Sequence, residues 1–531
     1  MSDETNILAR YVADLAFADL PPEVVARAER LVLDFFGNIA RGGADAESSA
    51  SVRAMLARLG LDGPGACTVV GASRTYAPAI AALLNGVYGH SLDFDDTHAE
   101  SSLHPSAPVV CAAFAAAEMT GASGRDFITA VIAGYEVCCR LGVALDPTVH
   151  YARGFHPTAT AGTFGAAAAA GKLLGLDAER IACAFGVAAS QAAGSLQFLV
   201  NGAWNKRYQV GAAAMNGLIA ATLSAEGFKG ASDAIEGKHG FLHGYSDGAD
   251  PAKAVRDLGT VYETMKIGLK PYPSCRYTHA ALDGLLSLRA EHHLTAADIV
   301  KVRVGLHPNG ITLTGAPLAE KRRARTVVDG QFSMPFTAAV ALDQGAFGWD
   351  DYDRLGDPVL DALCDRIDVE ADPALEGRAH PFGALLTVTT TGGTFELDIP
   401  DPSGEPDLFP ADAALAAKFT TLVKPVLGEK TPDLARSLLQ STDIANMAQA
   451  PASSERRRAA GISQRRRTNG PAAVLRCGAT LSPAFSSTLP RGAKPAKTPF
   501  AAHMLQRQTI QPTRLFFHLC LFGINVVPYL R

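Results

Sequence analysis

The chain has 531 residues, 48% hydrophobic and 19% charged, with 50 glycines and a formal net charge of −5. That length exceeds what one hydrophobic core can organise and implies two or three domains. From Pro451 onward thirteen Lys/Arg face one acid, which leaves 52 acids against 35 bases in the body, and an acidic body argues against nucleic acid as the main partner.

Nine cysteines occur without any C-x-x-C spacing, and Cys138 and Cys139 are adjacent. This reads as buried thiols in a reducing compartment rather than a disulfide framework. The acidic start Met1–Glu4 does not resemble a signal peptide. The longest run without charge or proline, Ile181 to Asn205, is interrupted by Ser190, Gln191, Ser195 and Gln197 and reads as buried helix. The expectation is a cytoplasmic protein with no membrane association.

Residues 7–270 read as helix after helix. Pro22 falls near the first helical position of a segment with Val24, Ala28, Leu31, Val32 and Phe35 on one face, ending at Gly42-Gly43. "APAIAALLNGVYGHSLDFDD", "SAPVVCAAFAAAEMTG", "GRDFITAVIAGYEVCCRLG" and "TATAGTFGAAAAAGKLLG" follow, with Ala/Gly faces that let helix axes approach closely.

Near Lys270 the texture changes. "DIVKVRVGL" and "RIDVEAD" read as strands, "ALLTVTTTGGTFELDIP" as a hairpin turning at Gly392-Gly393, and "QFSMPFTAAVALDQG" as a helix. Residues 268–402 therefore form a small α+β domain, and "ADAALAAKFTTLVKPVLG" and "TPDLARSLLQS" are helical again. From residue 449 the chain is rich in Arg, Pro and Ser, lacks periodicity and is expected to be disordered. A nucleic-acid or partner-binding role for this basic tail is the remote alternative to an enzyme.

G-x-S-x-G, H-E-x-x-H and a post-strand G-x-G-x-x-G are absent, and "GAAAAAGKL" fails as a phosphate loop by spacing and by its final Leu. Titratable chemistry concentrates instead in "DFDDTHAESSLHPSAP", residues 93–108. His90, Asp93 and Thr97 are spaced to meet on one side if the preceding helix continues. Asp95 and Asp96 suit a turn between helices. A divalent metal on Asp93, Asp96 and His104 lacks strict ligand spacing, and no metal is expected.

"LHPSAP" (103–108) and "FHPTAT" (155–160) share the order apolar, His, Pro, hydroxyl, each opening an Ala-rich helix. Both His104 and His156 would then flank a helix N-terminus, as paired walls of a carboxylate pocket. Lys206-Arg207 and the segment with Lys270, Arg276 and His279 supply the basic groups.

These stretches, with "KRYQVGAAAMNGLIAATLSAEGFKG", "LKPYPSCRYTHAALDGLL" and "QFSMPFTAAVAL", resemble the MmgE/PrpD family over residues 5–445. That family contains 2-methylcitrate dehydratases, cis-aconitate decarboxylases and an iminodisuccinate epimerase. The resemblance implies a mostly α fold: a large all-helical domain (1–267 and 403–448) carrying an inserted α+β lid domain (268–402). It also implies a homodimer, no cofactor, and a small di- or tricarboxylate substrate. By motif it assigns Asp93, Thr97, His104 and His156 to catalysis and Lys206 and Lys270 to substrate binding; Arg207 and Arg276 are substrate-binding candidates from their place in the two basic segments alone. The spacer "HAESSL" lacks residues associated with the 2-methylcitrate dehydratases, and Gln209 stands where many members have His. The expected activity is a lyase, dehydration ranked ahead of decarboxylation, with an epimerase on the same scaffold as the alternative.

Overall fold

The Pro157–Leu173 helix is buried along nearly its whole length, and the N-terminal region is arranged around it. The computed structural model describes residues 3–378 and 381–428. The Ser106–Thr120, Gly124–Ala144 and Asn205–Ala225 helices pack directly on that central helix. Small residues make the crossings possible. A Cβ on Gly134 would lie 2.8 Å from the Gly165 carbonyl oxygen, and one on Gly86 2.7 Å from Gly211 Cα. Helix axes this close leave no room for larger side chains.

Two hydrophobic cores result. The first gathers residues between Leu8 and Leu269 together with Leu415, Phe419, Leu422, Val423, Val426 and Leu427 of the Asp412–Leu427 helix. The second, from Ala280 to Val388, covers a four-stranded sheet. Its order is Ile367–Ala371, Ile299–Leu306, Ala384–Thr390, Gly393–Ile399, the first pair parallel and the others antiparallel. Both cores lie in one compact unit of the chain. The expected helix at "TPDLARSLLQS" and the basic tail fall outside the described residues.

The fold is mostly helical, and four details differ from the sequence expectation. The helical part is not all-helical: Cys67–Thr68 pairs with Thr75–Tyr76, and Thr97–His98 with Ile267–Gly268. The helix from Pro22 runs through Gly42-Gly43 to Asp45, because those glycines admit the backbone and ring of Tyr88 rather than stop the helix. The uncharged run from Ile181 breaks into the Ala178–Ala189 helix, a loop and the short Phe198–Asn201 helix. The hairpin pairs Thr390 with Gly393, so Thr391-Gly392 forms its turn.

Among the described residues one helix, Gly124–Ala144, is long and apolar enough to cross a membrane, and 94% of its apolar window is buried inside the protein. It is a core helix: Glu136 on it accepts from the Glu263 and Thr264 amides and pairs with Arg140. Six of the seven described cysteines are buried, none in a disulfide, as their spacing implied.

Candidate active site

The Pro78–Gly89 helix ends at its cap residue His90, so the chain leaves helical geometry before Asp93. Asp93 itself has φ +52°, a left-handed conformation that Asp tolerates better than most residues. The expected helical alignment of His90, Asp93 and Thr97 is therefore replaced by a loop.

Four consecutive carbonyls of this loop are each captured by a side chain from a distant segment. Arg207 Nε donates to Ser91 O at 3.1 Å, Gln331 Nε2 to Leu92 O at 2.8 Å, Lys270 Nζ to Asp93 O at 3.1 Å, and Lys418 Nζ to Phe94 O at 2.8 Å. Buried carbonyls need such partners, and the loop has no ladder to supply them. The Thr97–His98 ribbon with Ile267–Gly268 delivers Lys270 to the same place.

At the centre, Asp93 Oδ1 accepts from Lys206 Nζ at 2.5 Å and Lys270 Nζ at 3.0 Å. Burial alone would raise this carboxyl, but the two ammonium groups hold it well below the usual carboxylate range. Each ammonium group has N–H donors beyond those given to Asp93, which suits an anionic ligand.

Three imidazoles stand beside this pair. The His90 ring centroid is 4.9 Å from that of His104 and 6.1 Å from that of His156. His104 Nδ1 donates to the Asp96 carbonyl at 2.7 Å, which fixes its tautomer and leaves Nε2 to exchange protons. His104 N donates to Thr158 Oγ1 at 3.1 Å, so the two His-Pro turns are joined directly. His156 caps the Pro157–Leu173 helix. Burial first, and then neighbouring cations or protonatable imidazoles, push all three rings well below the ordinary imidazole range.

Eight buried side-chain polar atoms among the described residues lack a hydrogen-bond partner, and four of them belong to this cluster: His90 Nε2, Asp93 Oδ2, Asp95 Oδ1 and His156 Nδ1. A fifth, Gln209 Oε1, lies beside His156, since a Cβ on Gly194 would meet both residues. Proteins rarely bury such atoms without a ligand or water to satisfy them.

The structure thus brings Asp93, His104, His156, Lys206 and Lys270 together. Thr97 is half-buried on the ribbon next to them. Arg207 is spent on Ser91 O and on Gln331 Oε1 at 3.1 Å. Arg276, expected as a substrate ligand, instead pairs with Glu405 at 2.6 Å and donates to Ser403 O and His279 Nδ1. The N-terminus of the Ser106–Thr120 helix is also filled: Ser106 N lies 3.2 Å from both Asp96 oxygens.

Gln331 and Lys418 are site-building residues that nothing local marks in the sequence. His90 was expected beside Asp93 by its spacing, and Asp95 was expected to shape a turn rather than to hold an imidazole. His90, Asp95 and His104 bring one potential metal donor each within 4.8 Å of one another. Both Nδ1 atoms are committed, to Asp95 and to the Asp96 carbonyl, and two ammonium groups stand alongside. The set reads as a hydrogen-bonded one.

Residues 6–254 match the MmgE/PrpD N-terminal domain and residues 272–443 the MmgE/PrpD C-terminal domain. The chain belongs to the MmgE/PrpD family. It is 30% identical to a cis-aconitate decarboxylase of Aspergillus terreus over 64% of this chain and 72% of the relative. It is 28% identical to the cis-aconitate decarboxylase-like protein oryM of Aspergillus oryzae, over 83% of this chain and 96% of that one. Human cis-aconitate decarboxylase is 32% identical over 44% of this chain and half of its own length. The chain is a lyase of this family.

Proposed function

We propose that this MmgE/PrpD lyase decarboxylates an unsaturated tricarboxylate of the cis-aconitate type. The observation that carries the reading is the convergence of Lys206 and Lys270 on one oxygen of Asp93, beside three imidazoles and a group of unpartnered polar atoms. The names of the relatives rank decarboxylation ahead of dehydration and epimerisation.

The chemistry follows from the charges. Breaking the bond between an allylic CH2 and its carboxylate releases CO2, and the bond's electron pair becomes a new double bond. The original π pair moves to the far carbon, where it conjugates with a second carboxylate. Lys206 and Lys270 stabilise that dianion more strongly than the ground state, because its charge is concentrated on the oxygens they contact. A proton from His104 Nε2 then closes the carbon–hydrogen bond, and the partly exposed edge of His104 allows reloading from solvent. His156 binds or assists, Thr97 donates its hydroxyl to a carboxylate, and Arg207 holds the loop.

In this reading the α+β region that follows Lys270 is a lid whose Gln331 rests on Leu92 and Arg207, and the helices before it, with the Asp412–Leu427 helix, form the body. Incubation with cis-aconitate, 2-methylcitrate and iminodisuccinate, followed by proton NMR, tests it. Turnover of cis-aconitate with loss of CO2 is expected; water loss from 2-methylcitrate alone would replace the reading by dehydration.

A further inference from the structure

The two lysines that suit the site to an anion create a difficulty for its acid. Each ammonium disfavours a proton on His104, and Asp93, shared between them, offsets only one. Before substrate carboxylates engage the lysines, a proton on His104 calls for a second negative charge close by.

Asp95 is fully buried and divides its oxygens unequally. Oδ2 lies 2.6 Å from His90 Nδ1, while Oδ1 has no hydrogen-bond partner and lies 3.9 Å from His104 Nδ1. His90 is buried as well, with its Nε2 unpartnered. A neutral His90 that donates Nδ1–H to Asp95 fixes the carboxylate's rotamer without adding charge. The charged or titratable groups around His104 are Asp93, Asp95 and Asp96 from its own loop and His90 from the end of the Pro78–Gly89 helix. Lys206 and Lys270 face it from other elements, His156 stands against His90, and Lys418 and Asp34 act on Asp95 from the far side of the loop. Asp96 is turned to the Ser106 amide and hydroxyl, so Asp95 is the carboxylate placed to act on the imidazole.

We propose that Asp95, held by His90, is the counter-charge that lets His104 carry a proton beside Lys206 and Lys270. Asp95 and His90 are thereby positioning residues, and the proposal rests on His104 being the proton donor of the decarboxylase reading. Of the influences on His104, burial opposes its protonation most and Asp95 is the largest that favours it.

The decisive variant is Asp95→Asn, which keeps the volume and an acceptor for His90 but removes the charge. Histidine 13Cε1 NMR on the ligand-free full chain follows the titration of His104, its signal assigned by loss in His104→Gln. The midpoint in Asp95→Asn is expected about one pH unit or more below that of the unaltered chain. An unaltered chain whose His104 titrates no higher than the variant's overturns the proposal. This readout needs no turnover, so it stands apart from any failure of the decarboxylase reading, which absence of activity on cis-aconitate would reveal separately.

With cis-aconitate, the kcat limb set by protonated His104 should move to lower pH in Asp95→Asn. At neutrality kcat should fall about tenfold for each pH unit by which the midpoint moves, and recover on acidification with KM little changed. An equal fractional loss at every pH would mark a merely structural role and contradict the proposal. Asp95→Glu restores the charge and should return the midpoint part of the way; should Asp95→Asn fail to fold, Asp95→Ser, which also removes the charge, must lower the midpoint, and an unmoved midpoint would count against the proposal equally.

Discussion

Lys418 Nζ donates to the carbonyl oxygen of Lys270 at 2.9 Å, so the returning Asp412–Leu427 helix holds the residue that delivers an ammonium group to Asp93. The same nitrogen pairs with buried Asp34 at 2.7 Å and lies 3.8 Å from the centre of the Phe94 ring. Replacing Lys418 by Met takes away the ion-pair partner of buried Asp34, whose carboxyl burial already pushes up, and leaves it Asn38 Nδ2 as a donor. Denaturant unfolding should show a loss of about 3–5 kcal/mol, and Asp34→Asn in the same chain should recover part of it.

His104→Gln removes the proposed donor while keeping a polar side chain against Asp96. Steady-state kinetics should show kcat reduced by about 10²–10⁴ with KM changed far less, because Lys206 and Lys270 still bind the substrate. A variant with kcat near that of the unaltered chain would remove His104 from the role.

Substrate carboxylates that engage Lys206 and Lys270 relieve the charge that, after burial, holds His104 below its ordinary range. Binding should then draw protons from solution near neutral pH. Calorimetry with the saturated analogue tricarballylate, in buffers of different ionisation enthalpy, should report net proton uptake. Proton release would contradict the charge balance described for the site.

Glu263 accepts from His98 Nε2 at 3.0 Å and Lys266 Nζ at 3.2 Å, anchoring the segment that leads into Ile267–Gly268. Burial opposes its ionisation, yet the His98 hydrogen bond and charge, with Lys266, hold its carboxyl at about 2 against an ordinary 4.5. A depressed folded-state value means the stabilisation is complete above about 4.5 and disappears as pH falls toward about 2. The stability gap between the unaltered chain and Glu263→Gln, from urea midpoints across that range, should therefore close on acidification.

The sequence made the helices and strands readable wherever periodicity and proline placement agree, as at Pro157, Met334–Gln344 and Ile299–Leu306. It misled at Gly42-Gly43, where glycine serves close packing on Tyr88 rather than termination, a distinction only the neighbour reveals. The paired His-Pro elements pointed to one pocket because each fixes its histidine locally, and the His104–Thr158 hydrogen bond joins them. Arg276 and Glu405 are 129 positions apart, and Lys270 and Lys418 148 apart. Which cation faces the site and which fastens the frame depends on such long-range pairings, and no local pattern encodes them. The Asp95–His90 bond was obscured differently: the loop at Asp93 departs from the helical spacing that would have separated the two side chains.

Decarboxylation at the Lys206–Asp93–Lys270 centre is tested by the fate of cis-aconitate in D2O with the purified full chain, read by proton and carbon NMR. The expected products are stoichiometric CO2 and a dicarboxylate carrying a single solvent deuteron on its saturated methylene carbon, with both features lost in Lys270→Met. Deuterium exchange into unreacted cis-aconitate without release of CO2, or no reaction, would contradict the assignment.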